Sequence, residues 1–399
     1  MTPEATFAAD AEQLLPEMIV LRHQLHRHPE VGLDLPRTQA ALLAALVGLP
    51  LDVETGVSST SITATLTGGR PGPMVLLRGD MDALPMPEDS GVDFASESPG
   101  VMHACGHDAH MAMLVGAARL LAAHRQDLAG SVRFMFQPGE EGFTGSAHMI
   151  DEGVLDGVAA GFAIHVTPNL PSGWIATRPG PLMASADEVF ITVRGRGGHA
   201  STPHLAADPM PVACEIVGAI QTAVARRVDA FAPAVVSITQ IQAGTATNVI
   251  AETAEMAGTI RTVSERTRSA VHEDLSRLAQ GIAAAHGLSA EVRIEKGYPV
   301  TTNHAGVAKL VLEVAAEVLP GSHAVEAPAP TMGAEDWSLV LQQIPGAMAF
   351  LGVCPPDIVD ARHAPSCHSN VMRMHDDAMA AGVALHVGMA HALLTGRGY

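Results

Sequence analysis

Three stretches of the sequence place metal-binding residue types directly after an apolar run: Met102-His103-Ala104-Cys105-Gly106-His107-Asp108, Phe136-Gln137-Pro138-Gly139-Glu140-Glu141-Gly142 and Ala163-Ile164-His165. Together they offer a thiol, imidazoles and two adjacent carboxylates, the donor set of a borderline-soft transition metal. Cys105 and His107 stand two apart. In an extended segment both would point to one side and reach one ion, with Gly106 letting the backbone turn. Glu140 and Glu141 lie between glycines. At a strand end, neighbours face opposite ways, which suits one carboxylate to a metal and the other to taking a proton from the attacking water. Each feature also has a plainer reading: a buried cysteine beside a capping histidine, a solvated acidic turn, and a hydrogen-bonded core histidine at His165. His368, in Ser366-Cys367-His368-Ser369-Asn370, is no more distinctive alone. Asp80 and Asp82 close the apolar run Met74–Leu77, either to orient a ligand histidine or as acidic turn residues. The sequence has no His-Glu-x-x-His helix, Gly-x-Ser-x-Gly elbow, phosphate loop or dinucleotide fingerprint.

The elements that must position these residues alternate. Residues 16–47 read as a long amphipathic helical region interrupted at Pro29, with Arg22, His26 and Glu30 on its polar side. Strands are expected at 61–67, 73–78, 131–136 and 161–166, and helices at 108–124 and 145–152. Strand–helix alternation predicts an α/β layered domain whose ligands bind beyond the carboxyl ends of the strands, where the polar clusters fall. Near residue 185 the pattern changes to strand 188–194, helix 209–227, strands 234–242 and 254–261, helix 264–286 and strand 289–295. That βαββαβ order predicts a ferredoxin-like α+β sandwich. After Tyr298 the α/β character returns, with a helix at 304–319 and an apolar run at 347–353. The expected organisation is a discontinuous α/β domain, 1–184 and 298–399, with an insertion at 185–297. Glu326–Pro330 reads only as a short Pro/Ala loop.

At 399 residues the chain exceeds the roughly 250–300 at which single cores stop growing. A net charge of −19 argues against nucleic-acid and anionic-membrane partners. The N-terminal stretch, with Glu4, Asp10 and Glu12, lacks the basic start of a signal peptide, and no apolar run is long enough to span a bilayer. Four cysteines in so long a chain are too few for a disulfide scaffold and fit a cytoplasmic thiol state.

Taken together, His26–Glu30, Arg78–Pro85, Met102–His110, Gln137–Gly142, His165, Gly197–His204, Met332–Trp337 and His368-Ser369 resemble the dinuclear metallopeptidase family of aminoacylases and carboxypeptidases. More narrowly they resemble its amidohydrolase branch, which includes hippurate and auxin-conjugate hydrolases. The resemblance implies a phosphorylase/hydrolase-like catalytic domain and a lid and dimerisation role for the insertion. It implies two divalent transition-metal ions (Zn, Mn, Ni or Co) held by Cys105, His107, Glu141, His165 and His368, with Glu140 as general base and Asp82 behind the metals. His199 matches a lid histidine that in relatives reaches the partner subunit's site, and Asn248 and Arg261 match positions that hold the substrate carboxylate. Asp80 stands where other branches place a histidine ligand, with Cys105 compensating. Gly79 and Phe143-Thr144-Gly145 depart from the branch pattern without removing a functional group. The implied activity is hydrolysis of the amide of an N-acyl amino acid or small conjugate by a cytoplasmic homodimer or homotetramer. A dipeptidase or carboxypeptidase of the same family, a hydrolase using Cys105 as nucleophile, and a non-catalytic family member are the alternatives.

Overall fold

The computed structural model describes residues 3–398 except 320 and 322, and they divide into two compact units. The larger comprises Met1–Leu182, Thr302–Ala329 and Asp336–Tyr399. Its centre is an eight-stranded sheet in the order Leu51–Thr55, Ile62–Thr67, Ala129–Gln137, Arg70–Asp80, Val158–Thr167, Gly346–Gly352, Ile175–Thr177 and Ala324–Glu326. The middle four strands are mutually parallel. Their apolar runs explain why: Val75, Leu76 and Leu77 in succession are fully buried, so both faces of the strand are covered. Helices His107–Ala123 and Ala378–Leu394 are buried over most of their surface and lie in the core, with helix Pro3–Arg27 packed outside both. On the opposite face of the sheet, Gly161 abuts the indole of Trp337.

The first helix differs from expectation. It continues through Pro16 and ends at Arg27, and the chain restarts as a helix at Pro36, with proline in the first turn. Arg22 and His26, expected on a polar face, are buried and ion-paired. Glu30 lies beyond the helix end, where its carboxylate accepts the Thr38 amide (2.8 Å) and caps the second helix. The helix Ala378–Leu394 has no polar face, so no amphipathic period marks it in the sequence. The strand Ala324–Glu326, at one edge of the sheet, was not expected, and only its last residue falls within the loop expected at 326–330. Among the described residues no helix is long and apolar enough to cross a membrane.

The smaller unit spans Met183–Thr301 and takes in Pro330–Glu335, six residues that the sequence reading assigned to the large domain. They pack here because the Ala184 amide donates to the carbonyls of Thr331 (3.0 Å) and Gly333 (2.9 Å). Its antiparallel strands run in the order Ala234–Ala243, Thr253–Thr262, Asp187–Arg194 and Ser289–Lys296. That is the second, third, first and fourth in sequence, the arrangement of a βαββαβ sandwich. Val189, Ile191 and Val193 face helices Pro209–Arg227 and Glu265–Ala285, while Phe190, Thr192 and Arg194 alternate onto the open face.

Candidate metal centre

The carboxyl ends of the parallel strands deliver the chemistry-bearing residues of the large unit. Asp80 ends its strand beside Gln137, and His165 pairs with Phe350 in the same sheet. Cys105 and His107 converge differently from the extended geometry that the sequence suggested. Gly106 is in the left-handed region (φ 83°) and caps the helix that begins at His107, so a tight turn brings the two side chains together. A Cβ at Gly106 would stand 2.3 Å from Val166 Cγ2, which leaves room for glycine alone. Glu140 and Glu141 likewise sit in a turn beyond the strand Ala129–Gln137, not on it. Both Asp82 carboxylate oxygens accept their amides, from Glu140 at 2.9 Å and Glu141 at 3.0 Å. Asp82 therefore anchors the loop, and its Oδ1 also lies 3.6 Å from His107 Nδ1.

The donor atoms form overlapping triads, each with its atoms within 4.8 Å of one another: Cys105/His107/His165, Cys105/Glu141/His368, His107/Glu140/Glu141 and Asp80/His107/His110. Cys105 belongs to two of these and His107 to three. His107 Nδ1 donates to the Asp82 carbonyl (2.8 Å), which fixes its tautomer and leaves buried Nε2 without a hydrogen-bond partner. His165 Nδ1 donates to the Val166 carbonyl (2.7 Å), turning Nε2 toward Cys105 Sγ at 3.4 Å. His368 Nε2 lies 3.0 Å from Glu141 Oε1 but off the hydrogen-bond direction, so that buried oxygen is also unsatisfied. His368 is held at φ 68°, a strained conformation for a non-glycine residue. Soft and borderline donors with orphaned, buried lone pairs suit a transition metal.

The electrostatics are those of a concentrated charge cluster. Burial opposes the His107 imidazolium, but Asp80, Asp82 and Glu141 outweigh it and bring its pKa up to about 10. Burial would raise Glu141, yet His368 and His107 lower it, and the same contact with Glu141 raises His368. Cys105 and Cys367 shift in opposite directions, each the leading influence on the other: Cys105 is raised and Cys367 is lowered to about 6.

Several supporting residues escaped the sequence reading. Asp80 Oδ1 accepts from His110 Nδ1 (2.5 Å), and His110 Nε2 accepts the Val166 amide (2.8 Å), locking the strand end that carries His165. Below, buried Arg78 donates to Asp80 (2.5 Å), Gln137 (2.9 Å) and Asp336 (3.2 Å). Asp108, next to His107, accepts from Arg22 (3.0 Å) and pairs with His26 (2.8 Å), and Glu88 completes that group against His26 at 3.1 Å. The spacing of His107 and His110 on one helix face was the available signal for His110. The partners of Arg22 and Asp336 are too distant in sequence to leave one.

In the smaller unit His199 and Asn248 come together. His199 pairs with Val249 in a two-stranded ribbon, and the Ala200 amide donates to the Asn248 carbonyl (3.0 Å). Both residues are exposed. His199 Nδ1 accepts from the amide (3.1 Å) and hydroxyl (2.8 Å) of Ser201, which leaves the proton on Nε2. Arg261 is not with them. It lies near the end of strand Thr253–Thr262, paired with Val235, eight residues beyond Thr253.

Residues 76–392 match Peptidase family M20/M25/M40. The chain belongs to this family. Thermostable carboxypeptidase 2 of Saccharolobus solfataricus is 39% identical over 393 residues, 96% of each chain. N-acetylcysteine deacetylase of Bacillus subtilis is 40% identical over 337 residues, covering 84% of this chain and 88% of its own. Among solved structures, a dinuclear metal-binding M20 peptidase of Bacillus subtilis superposes with a TM-score of 0.84 at 34% identity, over 96% of this chain and 99% of its own. M20 membership accounts for the α/β sheet and for hydrolase activity.

Proposed function

We propose that this M20 enzyme is a two-metal amidohydrolase that cleaves N-acyl amino acids or small amino-acid conjugates to a carboxylate and a free amino acid. The carrying observation is the pair of triads that share Cys105, with Glu140 held beside them by Asp82. Cys105, His107, Glu141, His165 and His368 would hold two divalent ions, and the thiol and imidazole donors favour Zn, Mn, Ni or Co over Mg or Ca. When bound, the ions polarise the scissile carbonyl and acidify water.

The residues supply the rest. Glu140 is buried, and its carboxylate is aimed by a backbone that Asp82 fixes at two amides. It takes the proton of the attacking water and returns it to the leaving nitrogen. His199, protonated at Nε2, is a ready donor to the developing oxyanion, and such donors contribute about 3–4 kcal/mol. Arg261 grips the substrate carboxylate and Asn248 assists beside His199. The smaller unit acts as lid and dimerisation domain, in a cytoplasmic homodimer. Four free cysteines fit a reducing compartment.

Relatives named N-acetylcysteine deacetylase and N-acyl-L-amino acid amidohydrolase, each 40% identical, support the acyl substrate. The full-length match to carboxypeptidases supports a second reading, cleavage of a C-terminal residue. Assay of N-acetyl- and N-benzoyl-amino acids against unblocked dipeptides separates them. Glu140→Gln should keep its metal by elemental analysis while kcat falls about 10²–10⁴-fold. Normal turnover would remove Glu140 as the base.

A further inference from the structure

The strands that carry Asp80 and His165 part where the site lies. The ladder between Arg70–Asp80 and Val158–Thr167 ends with Arg78 opposite Ala163, whereas that between Arg70–Asp80 and Ala129–Gln137 runs on to Asp80 opposite Gln137. Beyond Ala163, among the described residues, the strand with His165 keeps one ladder, to Gly346–Gly352, in which Val166 stands opposite Leu351. Val166 is fully buried, and a buried amide without an acceptor is costly. An imidazole takes the place of the missing carbonyl: His110 Nε2 accepts the Val166 amide at 2.8 Å. It can accept there because the ring proton sits on Nδ1, which donates to Asp80 Oδ1 (2.5 Å), and Arg78 holds Asp80 in turn (2.5 Å). Asp80, His107 and His110 bring donor atoms within 4.8 Å of one another, but both His110 nitrogens are occupied and offer a metal no lone pair.

We propose that His110 is a positioning residue of the hydrolase: it substitutes for the strand that ends at the site, and by fixing the Val166 backbone it fixes the direction in which His165 presents Nε2. The Val166 carbonyl accepts His165 Nδ1 (2.7 Å), so any twist of that backbone carries the imidazole with it. The His110 ring also packs against the His165 ring, with centroids 4.9 Å apart and planes at 68°, and lies 5.4 Å from the His107 ring. The chain Arg78–Asp80–His110–Val166 thus joins three elements of the large unit behind one donor atom. Its consequence for metal binding rests on the proposed ligand role of His165, whereas the bond from Val166 to His110 does not.

The test compares two variants with the parent, each full length, metal-free and loaded with cobalt(II). The His110→Gln side chain carries a donor and an acceptor and can bridge Asp80 and the Val166 amide; His110→Leu fills the space and bridges neither. In hydrogen exchange the Val166 amide should stay protected in His110→Gln and exchange about tenfold faster in His110→Leu. Cobalt affinity should fall about 10–100-fold in His110→Leu, with a shift of the visible cobalt bands, and return in large part in His110→Gln. In turnover kcat should fall with KM held, because His110 acts through His165. If His110→Leu does not fold, His110→Asn, too short to reach both partners at once, takes its place in each measurement. Unchanged Val166 exchange in His110→Leu would overturn the proposal, as would parental cobalt affinity, or a His110→Gln enzyme no better than His110→Leu. Variants that behave as expected in an enzyme inert toward N-acyl amino acids would uphold His110 and sink the substrate reading alone.

Discussion

At the scale of single residues, Asp82 shows how one loop anchor can govern a site. Its two oxygens each take one amide, from Glu140 and Glu141, while its own carbonyl takes His107 Nδ1. Asp82→Asn replaces one acceptor by a donor, which must face an N–H, so the Glu140-Glu141 turn loses one tether. Metal affinity should weaken about 10–100-fold, with a matching loss in kcat. Titration of the apo-enzyme with metal under calorimetry checks this, and unchanged affinity would show that the turn holds itself. The residues that the family resemblance singled out, Cys105, His107, Glu140, Glu141, His165 and His368, are gathered in the overlapping donor triads, although type and spacing alone left a plainer reading open for each. Asp108 and His110 were not singled out, because their roles are set by Arg22, His26 and Asp80, which reach them only through the fold.

At the scale of elements, the strands were legible because an unbroken apolar run can only be buried, and helix Pro209–Arg227 because its apolar period is intact. Helix Ala378–Leu394 was not, since burial on all sides erases the period. Elements also rely on ion pairs that the sequence does not announce. In the smaller unit Asp187, at the start of a strand, accepts from Arg268 (2.5 and 2.8 Å) and pairs with His272 (2.8 Å), tying strand to helix Glu265–Ala285. Burial would raise its pKa, but His272 and Arg268 take it from 3.8 down to about 2. A depressed carboxylate stabilises the fold above its unfolded value; this pair is therefore fully effective above pH 4 and is lost as pH falls toward 2, a change of about 2 kcal/mol. Asp187→Asn leaves the Arg268 guanidinium with Glu265 (3.2 Å) as its one remaining carboxylate partner and should cost about 1–3 kcal/mol at neutral pH. Both tryptophans, Trp174 and Trp337, lie in the large unit, so fluorescence would miss the event. Hydrogen exchange of peptides within 187–194 and 265–285 reports it directly, and unaltered protection would show the pair to be dispensable.

At the scale of the whole molecule, the residues of the smaller unit proposed to handle substrate do not converge. Eight strand residues separate Arg261 from Thr253, roughly 27 Å at an antiparallel rise. The ladder then continues outward, with the Gly195 amide on the Glu252 carbonyl and Gly198 paired with Ile250, before reaching His199 and Asn248. One N-acyl amino acid cannot touch both ends of that span. If Arg261 and His199 each handle substrate, they serve different active sites, which a closed two-fold dimer provides by exchanging His199 and Asn248 between protomers. Glu140→Gln and His199→Ala mutants make this measurable. Each alone should be nearly inactive. Unfolded together and refolded, half of the dimers should be mixed, each with one site that combines an intact Glu140 from one protomer with an intact His199 from the other, so activity should recover to about a quarter of the parent's. Native molecular mass by light scattering establishes that the mixture is dimeric. Recovery no greater than the sum of the two parents would place His199 at its own protomer's site or outside the reaction, and the exchange would be ruled out.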